Sequence, residues 1–201
     1  MESPSPFRIL TVCTGNVCRS AMVERVLQAM LDQSSPGSFD VRSAGTHALV
    51  GQSMTAEIAQ LVRDAGGSDT GFESRQLTGQ VLAEQDLVLA LTREHRAKVL
   101  EISPKHLRRT FTLREFGRMV QLITEESGSA IEWSATAYDR WKQLIPAVTS
   151  VRHQVIGTAA DDDVVDPYRR DMSVHHQMLH QIEPALAALS GFQTRSVEAQ
   201  A

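Results

Sequence analysis

Two cysteines and an arginine lie close together in the stretch LTVCTGNVCRSAM, residues 10–22. Five residues separate Cys13 from Arg19, and Gly15 lies between them. A turn that leads into a helix directs several backbone N–H groups at one point, with the positive end of the helix dipole behind them. Glycine lets the backbone approach a ligand closely, an arginine fork binds oxyanions bidentately, and the positive field favours a nucleophilic thiolate. This spacing therefore predicts a loop that binds an oxyanion the size of phosphate and attacks its central atom through Cys13.

Other roles for the two cysteines fit the sequence less well. A zinc site needs a second pair of Cys or His residues at ligand spacing, which Cys13 and Cys18 lack. A thioredoxin-type motif has two residues between its cysteines, whereas four separate these. The common role of a cysteine after a strand is that of a small buried hydrophobe. The preceding strand, the internal glycine, the closing arginine and the following helix together favour the oxyanion loop instead.

The segments around this loop alternate between strands and helices. Short apolar and β-branched runs predict strands at 7–12, 39–45, 86–92 and 108–113. Apolar residues at helical spacing predict helices from about Ser20, at 54–65, at 93–102 and from 114. Such alternation is typical of an α/β fold in which a parallel sheet carries helices on both faces. Cys13 then lies at the carboxyl end of the first strand, where ligands bind in open parallel sheets.

A single domain is expected from 201 residues with 42% hydrophobic content. We predict this domain at 7–190, with a charged loop at 161–171, a last helix at 172–189, and flexible tails at 1–6 and 191–201. Residues 124–160 are interpreted as an insertion that is too short to fold alone. We expect Trp133 and Trp141 to pack this insertion onto the core.

The charge and hydropathy of the chain exclude some partners. A net charge of −4 gives no reason to expect nucleic acid as a partner. No apolar run is long enough for membrane insertion, and the MESPSPFR terminus lacks the layout of a signal peptide, so a cytoplasmic location is expected. The basic stretch REHRAK, residues 93–98, is interpreted as a solvated helix face.

The loop CTGNVCRS, residues 13–20, resembles the C-x-G-N-x-C-R-S signature of the low-molecular-weight protein tyrosine phosphatases. The resemblance continues in the family's order through SAGT (43–46), SRQLT (74–78), DLVLALTREHRAKV (86–99) and DPY (166–168). It implies a four-stranded parallel sheet in the order 2-1-3-4, with a phosphate-binding loop after the first strand. It also implies that Cys13 is the nucleophile and that Arg19 binds the phosphoryl oxygens.

The same resemblance implies roles for the rest of the loop. Asn16, Ser20 and Ser43 match positions that brace the loop through hydrogen bonds, with the Ser20 hydroxyl donating toward the thiolate. Cys18 matches a neighbouring cysteine that can form a reversible disulfide with the nucleophile. The residues expected around a bound phosphate are Thr14, Gly15, Asn16, Val17, Cys18 and Ser20.

Expulsion of a tyrosyl oxygen from phosphorus needs an acid on the leaving-group side. Spacing alone does not choose among four candidates, Asp161, Asp162, Asp163 and Asp166. Asp166 matches the acid of the family's Asp-Pro-aromatic motif, which implies that it is the acid in the first step and the base in the second. Neither a metal nor another cofactor is expected, because the helix terminus and the loop arginine neutralise the phosphoryl charge.

Two walls are expected beside the phosphate site. Tyr168, which follows the Asp-Pro pair, is predicted to supply one wall by ring stacking. The segment after SAGT offers only His47, Ala48, Leu49 and Val50 for the other wall, which is then largely aliphatic.

Three functions are compatible with these residues. The first is hydrolysis of phosphotyrosine through a phosphocysteine, with a tyrosine-phosphorylated protein as partner, such as a bacterial tyrosine kinase or its substrate. The second is arsenate reduction, for which only a variant using an external small thiol fits, since the chain has no cysteines beyond Cys13 and Cys18. The third is a phosphotyrosine-binding module without turnover, against which the joint presence of Cys13, Arg19 and Asp166 argues.

Overall fold

The computed structural model describes residues 5–125, 131 and 136–198. In these parts of the chain, strands and helices alternate as the sequence predicts. The elements are β1 Phe7–Cys13, α1 Arg19–Ser34, β2 Phe39–Gly45, α2 Ala56–Asp64, α3 Gly79–Ala83, β3 Leu87–Ala90, α4 Arg93–Ile102, β4 Thr110–Thr112, α5 Leu113–Glu125, α6 Ala137–Val151, α7 Ala159–Asp162 and α8 Met172–Glu198.

The four strands form one parallel sheet in the order β2-β1-β3-β4. Cys13 pairs with Gly45 of β2, and Val12 pairs with Ala90 of β3. The carboxyl ends of three neighbouring strands therefore meet at one edge of the sheet, directly beneath the loop that leads into α1. The predicted α/β fold and strand order are confirmed.

Both faces of the sheet are covered by helices. Phe7 and Ile9 belong to a large core with residues of α1, α2, α5, α6 and α8. Leu10 and Val12 point to the other face, where they pack with residues of α3 and α4. Because successive side chains of a strand point to opposite faces, cover on both sides explains why β1 is buried continuously from Ile9 to Cys13 rather than at alternate residues.

Trp141 of α6 lies at the centre of an aromatic cluster in the large core. Its side chain is fully buried, and its ring centroid lies 5.6 Å from Phe7, 5.1 Å from Phe39 and 5.9 Å from Phe192. Its indole N–H donates to Gln193 Oε1 at 2.9 Å. This tryptophan packs α6 onto the core as expected, whereas Trp133 lies outside the described residues. The interpretation of 124–160 as an insertion stays a prediction.

The end of the chain differs from our expectation. The sequence predicts the last helix at 172–189, followed by a flexible tail, but α8 continues to Glu198. Pro184 lies inside this helix and does not end it. Phe192 is fully buried in the aromatic cluster, so tertiary packing stabilises the helix well beyond the last strongly periodic residue. Most of the predicted N-terminal tail, 1–6, lies outside the described residues.

Smaller differences concern three short segments. The strand predicted at 108–113 is limited to β4, because a 3₁₀ helix occupies Pro104–Arg109. The predicted charged loop at 161–171 begins inside α7, where Asp161 Oδ2 accepts from the Thr158 N–H at 2.7 Å and so caps the helix start. The short helix α3 had no sequence prediction. No helix in the described parts of the chain has the length and apolar character needed to cross a membrane.

Candidate active site

The loop between β1 and α1 turns its carbonyl groups outward. They accept hydrogen bonds of 3.0–3.1 Å from backbone N–H groups of the segment after β2: Thr14 from His47, Gly15 from Leu49, and Val17 from Thr55. Among the residues that the structure describes, no backbone N–H of 14–18 donates to a protein acceptor. Helix α1 follows with neither a side-chain cap nor an acidic residue in its first turn. The loop and the helix end therefore offer unpaired N–H groups and a positive dipole to an anion.

Asn16 braces the loop from within. Its backbone is left-handed at φ 58°, a conformation that asparagine tolerates better than most residues. Its amide nitrogen donates to the hydroxyls of Ser20 and Ser43 at 3.0 and 2.7 Å, and its amide oxygen accepts from the Arg75 N–H at 2.8 Å. The Ser20 hydroxyl lies 2.9 Å from Cys13 Sγ. Since the Ser20 oxygen accepts from Asn16, its own proton can be donated to the sulfur.

The hydrogen bonds continue to Glu24, a residue that the sequence analysis missed. The Ser43 hydroxyl donates to Glu24 Oε2 at 2.5 Å, and Arg25 Nε lies 3.0 Å from Oε1. Glu24 is only 8% exposed, and burial raises the pKa of its carboxyl above 4.5, against the opposing effects of Ser43 and Arg25. Its position four residues after Ser20, on the same face of α1, was the signal that could have identified it.

Arg19 joins the loop to the candidate acid. Its Nη2 donates to Asp166 Oδ2 at 2.7 Å, and its Nη1 donates to the Val164 carbonyl at 3.3 Å. Its Nε is buried and has no partner among the described residues. The Arg19 side chain is 6% exposed, whereas that of Asp166 is 50% exposed. Arg19 thus lies beneath the site, while the carboxyl lies at its solvent side.

The segment that carries Asp166 is anchored on both sides. The Val164 N–H donates to the Leu91 carbonyl, just beyond β3, at 2.9 Å, and the Val165 N–H donates to Gln181 Oε1 of α8 at 2.8 Å. The Tyr168 N–H donates to Asp166 Oδ1 at 3.2 Å. The bonds of Val164 and Val165 hold this segment over the carboxyl end of the sheet.

The three other candidate aspartates have structural partners instead. Asp161 caps α7, Asp163 Oδ1 accepts from the Arg93 N–H at 2.7 Å, and Asp162 forms ion pairs of 2.5 Å with Arg93 and Arg118. Asp162 is also 4% exposed. Of the four aspartates, only Asp166 lines the cavity beside Cys13.

This cavity has a volume of about 180 Å³. Of the residues predicted as walls, Tyr168, His47 and Leu49 line this cavity, whereas Val50 is 67% exposed and Ala48 is not among the lining residues. Ser20, predicted to contact phosphate, lies behind Cys13 rather than in the cavity wall. The lining residues are Cys13, Thr14, Gly15, Asn16, Val17, Cys18, Arg19, His47, Leu49, Asp166 and Tyr168.

The two cysteines differ in environment. Both are free thiols in this structure. Burial raises the pKa of the Cys18 thiol to about 12, and a hydrogen bond with Thr55 opposes this shift only in part. Cys18 is therefore a thiol at neutral pH. A disulfide between Cys13 and Cys18 stays a prediction.

His95 is the second residue near the loop that the sequence analysis missed. The interpretation of 93–98 as a solvated face is wrong for this side chain, which is 5% exposed. Its Nε2 lies 2.9 Å from Thr14 Oγ1, and its Nδ1 lies 2.9 Å from Thr92 Oγ1. Its position in the first turn of α4, the helix that follows β3, was the available signal, because β3 and its neighbour β1 end at the same sheet edge.

The fold and the loop together define an α/β protein with an anion-binding Cys-x5-Arg loop after its first strand. In the described chain, no three His, Cys, Asp or Glu side chains are grouped as metal ligands. The sequence profile of the family described as low molecular weight phosphotyrosine protein phosphatase matches residues 8–125. The chain belongs to this family.

Two bacterial relatives carry different activities in their names. The low molecular weight protein-tyrosine-phosphatase Etp of Escherichia coli K12 is 42% identical over 97 residues, which are 48% of this chain and 62% of Etp. The chain thus spans less than two thirds of that relative. The protein-arginine-phosphatase of Geobacillus stearothermophilus is 34% identical over 141 residues, which are 70% of this chain and 92% of that protein.

Solved structures of similar proteins show the same fold. Vibrio vulnificus Wzb in complex with benzylphosphonate has a TM-score of 0.63 at 23% identity, over 92% of this chain and 97% of that one. The YwlE arginine phosphatase from Geobacillus stearothermophilus has a TM-score of 0.62 at 24% identity, over 96% and 97% of the two chains.

Proposed function

We propose that the protein is a phosphatase that hydrolyses phosphotyrosine in proteins through a phosphocysteine intermediate. The observation that carries this proposal is the arrangement of Cys13, Arg19 and Asp166 around one cavity. The thiolate is supported by the Ser20 hydroxyl at 2.9 Å, and the phosphoryl oxygens are held by the loop N–H groups and the guanidinium. Family membership supports the same reaction class.

In the first step, Cys13 Sγ attacks phosphorus and the bond from phosphorus to the tyrosyl oxygen breaks. The electron pair of that bond goes to the leaving oxygen, which takes a proton from the Asp166 carboxyl. In the second step, the Asp166 carboxylate accepts a proton from water as the water oxygen attacks phosphorus. The sulfur–phosphorus bond breaks, and inorganic phosphate and the Cys13 thiolate are released.

The ion pair between Arg19 and Asp166 gives substrate binding a further role. A phosphoryl group bound in the loop competes with Asp166 for the guanidinium, because both are anions within reach of the same Nη2. Binding of the substrate thus frees the carboxyl to turn toward the leaving oxygen. Since the carboxyl lies at the exposed side of the cavity, it is on the side from which a leaving group departs.

The walls of the cavity support an aromatic leaving group. Leu49 and Tyr168 offer apolar and aromatic surfaces beside the loop, between which a phenyl ring can stack. The partner is then a tyrosine-phosphorylated protein, such as a bacterial tyrosine kinase or its substrate. The relative named as an arginine phosphatase makes phosphoarginine the second candidate substrate.

The proposal is tested by phosphate release in excess chelator from p-nitrophenyl phosphate, a phosphotyrosine peptide and a phosphoarginine peptide. Cys13→Ser is expected to abolish turnover of all substrates. Asp166→Ala is expected to lower kcat by about a hundredfold or more on phosphotyrosine. The loss on p-nitrophenyl phosphate is expected to be smaller, because p-nitrophenolate is a stable anion and depends less on protonation by an acid. Asp171→Ala is the matched control, because it removes an exposed carboxylate from the same segment.

Other outcomes distinguish the remaining candidates. Faster turnover of phosphoarginine than of phosphotyrosine would reassign the substrate while keeping the mechanism. An inert wild type would overturn hydrolysis; arsenate with a small external thiol, and then phosphopeptide binding without turnover, would be the next measurements. Equal effects of Asp166→Ala and Asp171→Ala would remove Asp166 from the role of acid.

A further inference from the structure

His95 connects the start of α4 to the oxyanion loop. Its two ring nitrogens lie 2.9 Å from hydroxyl oxygens on either side, Thr14 Oγ1 at Nε2 and Thr92 Oγ1 at Nδ1. The ring is 5% exposed, so water does not compete freely for either bond. Thr92 is also the N-cap of α4, where its side chain accepts from the His95 N–H. One end of this bridge is therefore a fixed helix start, and the other end is the residue directly after Cys13.

The ring is neutral in this environment, which makes the two hydrogen bonds directional. Burial lowers the pKa of His95 to about 4, and the nearby charge of Arg19 acts in the same direction. A neutral imidazole donates from one nitrogen and accepts at the other. If Nε2 donates to the Thr14 oxygen, the Thr92 hydroxyl donates to Nδ1, and the Thr14 proton is free to point into the cavity that Thr14 lines.

We propose that His95 is a positioning residue that fixes Thr14, and with it the first turn of the oxyanion loop, for binding of phosphate. This inference rests on the proposed function. Thr14 is held on its other side through its carbonyl, which accepts from the His47 N–H at 3.0 Å. The side-chain bond to His95 and the main-chain bond to His47 together set the orientation of the peptide unit between Thr14 and Gly15. Loss of the His95 bond lets this unit rotate, so the N–H groups of the loop no longer converge on one oxyanion.

Two pairs of variants test this role. An asparagine at 95 places its amide near the position of Nδ1 and retains a bond to Thr92, whereas a glutamine reaches the position of Nε2 and retains the bond to Thr14. At position 14, Thr14→Val removes the hydroxyl at nearly constant shape, and Thr14→Ser retains it. Only the pair at position 14 isolates the bond at issue, since the asparagine and glutamine variants exchange the bond to Thr92 for the bond to Thr14.

The measurements are the dissociation constant of inorganic phosphate by calorimetric titration, and kcat and KM on p-nitrophenyl phosphate. His95→Asn and Thr14→Val are each expected to weaken phosphate binding and lower kcat/KM by about three- to tenfold, the size of one hydrogen bond. The double variant His95→Asn/Thr14→Val is expected to lose no more phosphate affinity than either single variant. His95→Gln and Thr14→Ser are expected to recover binding to within about twofold, as replacements that keep a single hydrogen bond should.

Several results would overturn the proposal. Equal phosphate affinities for the asparagine and glutamine variants, or losses that multiply in the double variant, would show that His95 does not act through Thr14. If His95→Asn does not fold, the comparison of Thr14→Val with Thr14→Ser decides, and equal affinities there would refute the role. Titration with phosphate needs no turnover, so an inert wild type would end the proposed function and leave the positioning role to be decided by binding.

Discussion

Replacing Gly45 with alanine would push a methyl group into the loop that holds Cys13. A Cβ built on Gly45 lies 2.4 Å from the Thr14 carbonyl oxygen and 3.0 Å from Ala48 Cα. Both are backbone atoms, so neither can rotate aside as a flexible side chain would. Gly45 is the last residue of β2 and is not among the glycines with positive φ, so the effect of alanine comes from this contact and not from backbone conformation.

The size of the effect follows from the distance. A carbon–oxygen contact is comfortable at about 3.3 Å, so the Thr14 carbonyl must move by about 0.9 Å. Overpacking of this kind costs about 1–3 kcal/mol, which lowers the Tm of a chain of this size by roughly 3–10 °C. A displacement of about 1 Å in a catalytic loop lowers the rate by about a hundredfold. We expect both losses together in Gly45→Ala.

The assay compares thermal unfolding with kcat and KM on p-nitrophenyl phosphate for wild type, Gly45→Ala and Gly79→Ala. Gly79 is the matched control, because the nearest atom to its Cβ is Ile102 Cγ2 at 3.9 Å. Alanine there is expected to leave the rate unchanged and to stabilise the fold by about 0.4–1 kcal/mol. Wild-type kcat/KM in Gly45→Ala would refute the reasoning, since it would mean that the sheet edge, and not the loop, absorbs the methyl group.

Three further expectations follow from buried residues. Trp141→Ala should lower the free energy of unfolding, measured in urea, by about 3–5 kcal/mol. The value of kcat should be unchanged, because Trp141 contacts Phe7, at the opposite end of β1 from Cys13. Unchanged stability would contradict this expectation. With its thiol pKa at about 12, Cys18 should resist iodoacetamide at pH 8, where roughly one thiol in ten thousand is ionised, and peptide mass mapping should find label at Cys13 first. Because burial raises the folded-state pKa of Glu24 above 4.5, its stabilising contribution is full below that pH and is lost as pH rises through the folded-state value. The urea midpoint of wild type relative to Glu24→Gln should therefore fall from acid to neutral pH, and a constant difference would show that Glu24 does not titrate as proposed.

The loop and the sheet could be predicted because their signals are local. The spacing of Cys13, Gly15 and Arg19 is contained in one loop, and the strands are contained in three to seven residues each. Strands that are buried on both faces have nearly continuous apolar sequences, so they can be recognised without knowing which strands lie beside them. The strand order came from the family resemblance, since periodicity does not determine which strands are neighbours.

The remaining features depend on contacts between distant segments. The aspartate run at 161–163 has the composition of a solvated loop. Asp162 nevertheless forms ion pairs with Arg93 of α4 and Arg118 of α5, which are distant in sequence. His95 lies in a basic, polar stretch whose composition indicates solvent, and only its contact with Thr14 shows otherwise. The length of α8 depends on the packing of Phe192 against Trp141. The sequence near residue 190 contains no pattern that predicts this contact.

The order of synthesis determines when the aromatic cluster can be completed. Phe7 belongs to the first strand, but Trp141 and Phe192, which pack in the same cluster, are synthesised much later. At a synthesis rate of about 5–20 residues per second, roughly ten to forty seconds pass between the synthesis of Phe7 and that of Phe192. Asp166 emerges in the same late interval. A nascent chain interrupted before Phe192 therefore lacks one side of the cluster and leaves the Trp141 ring without that cover.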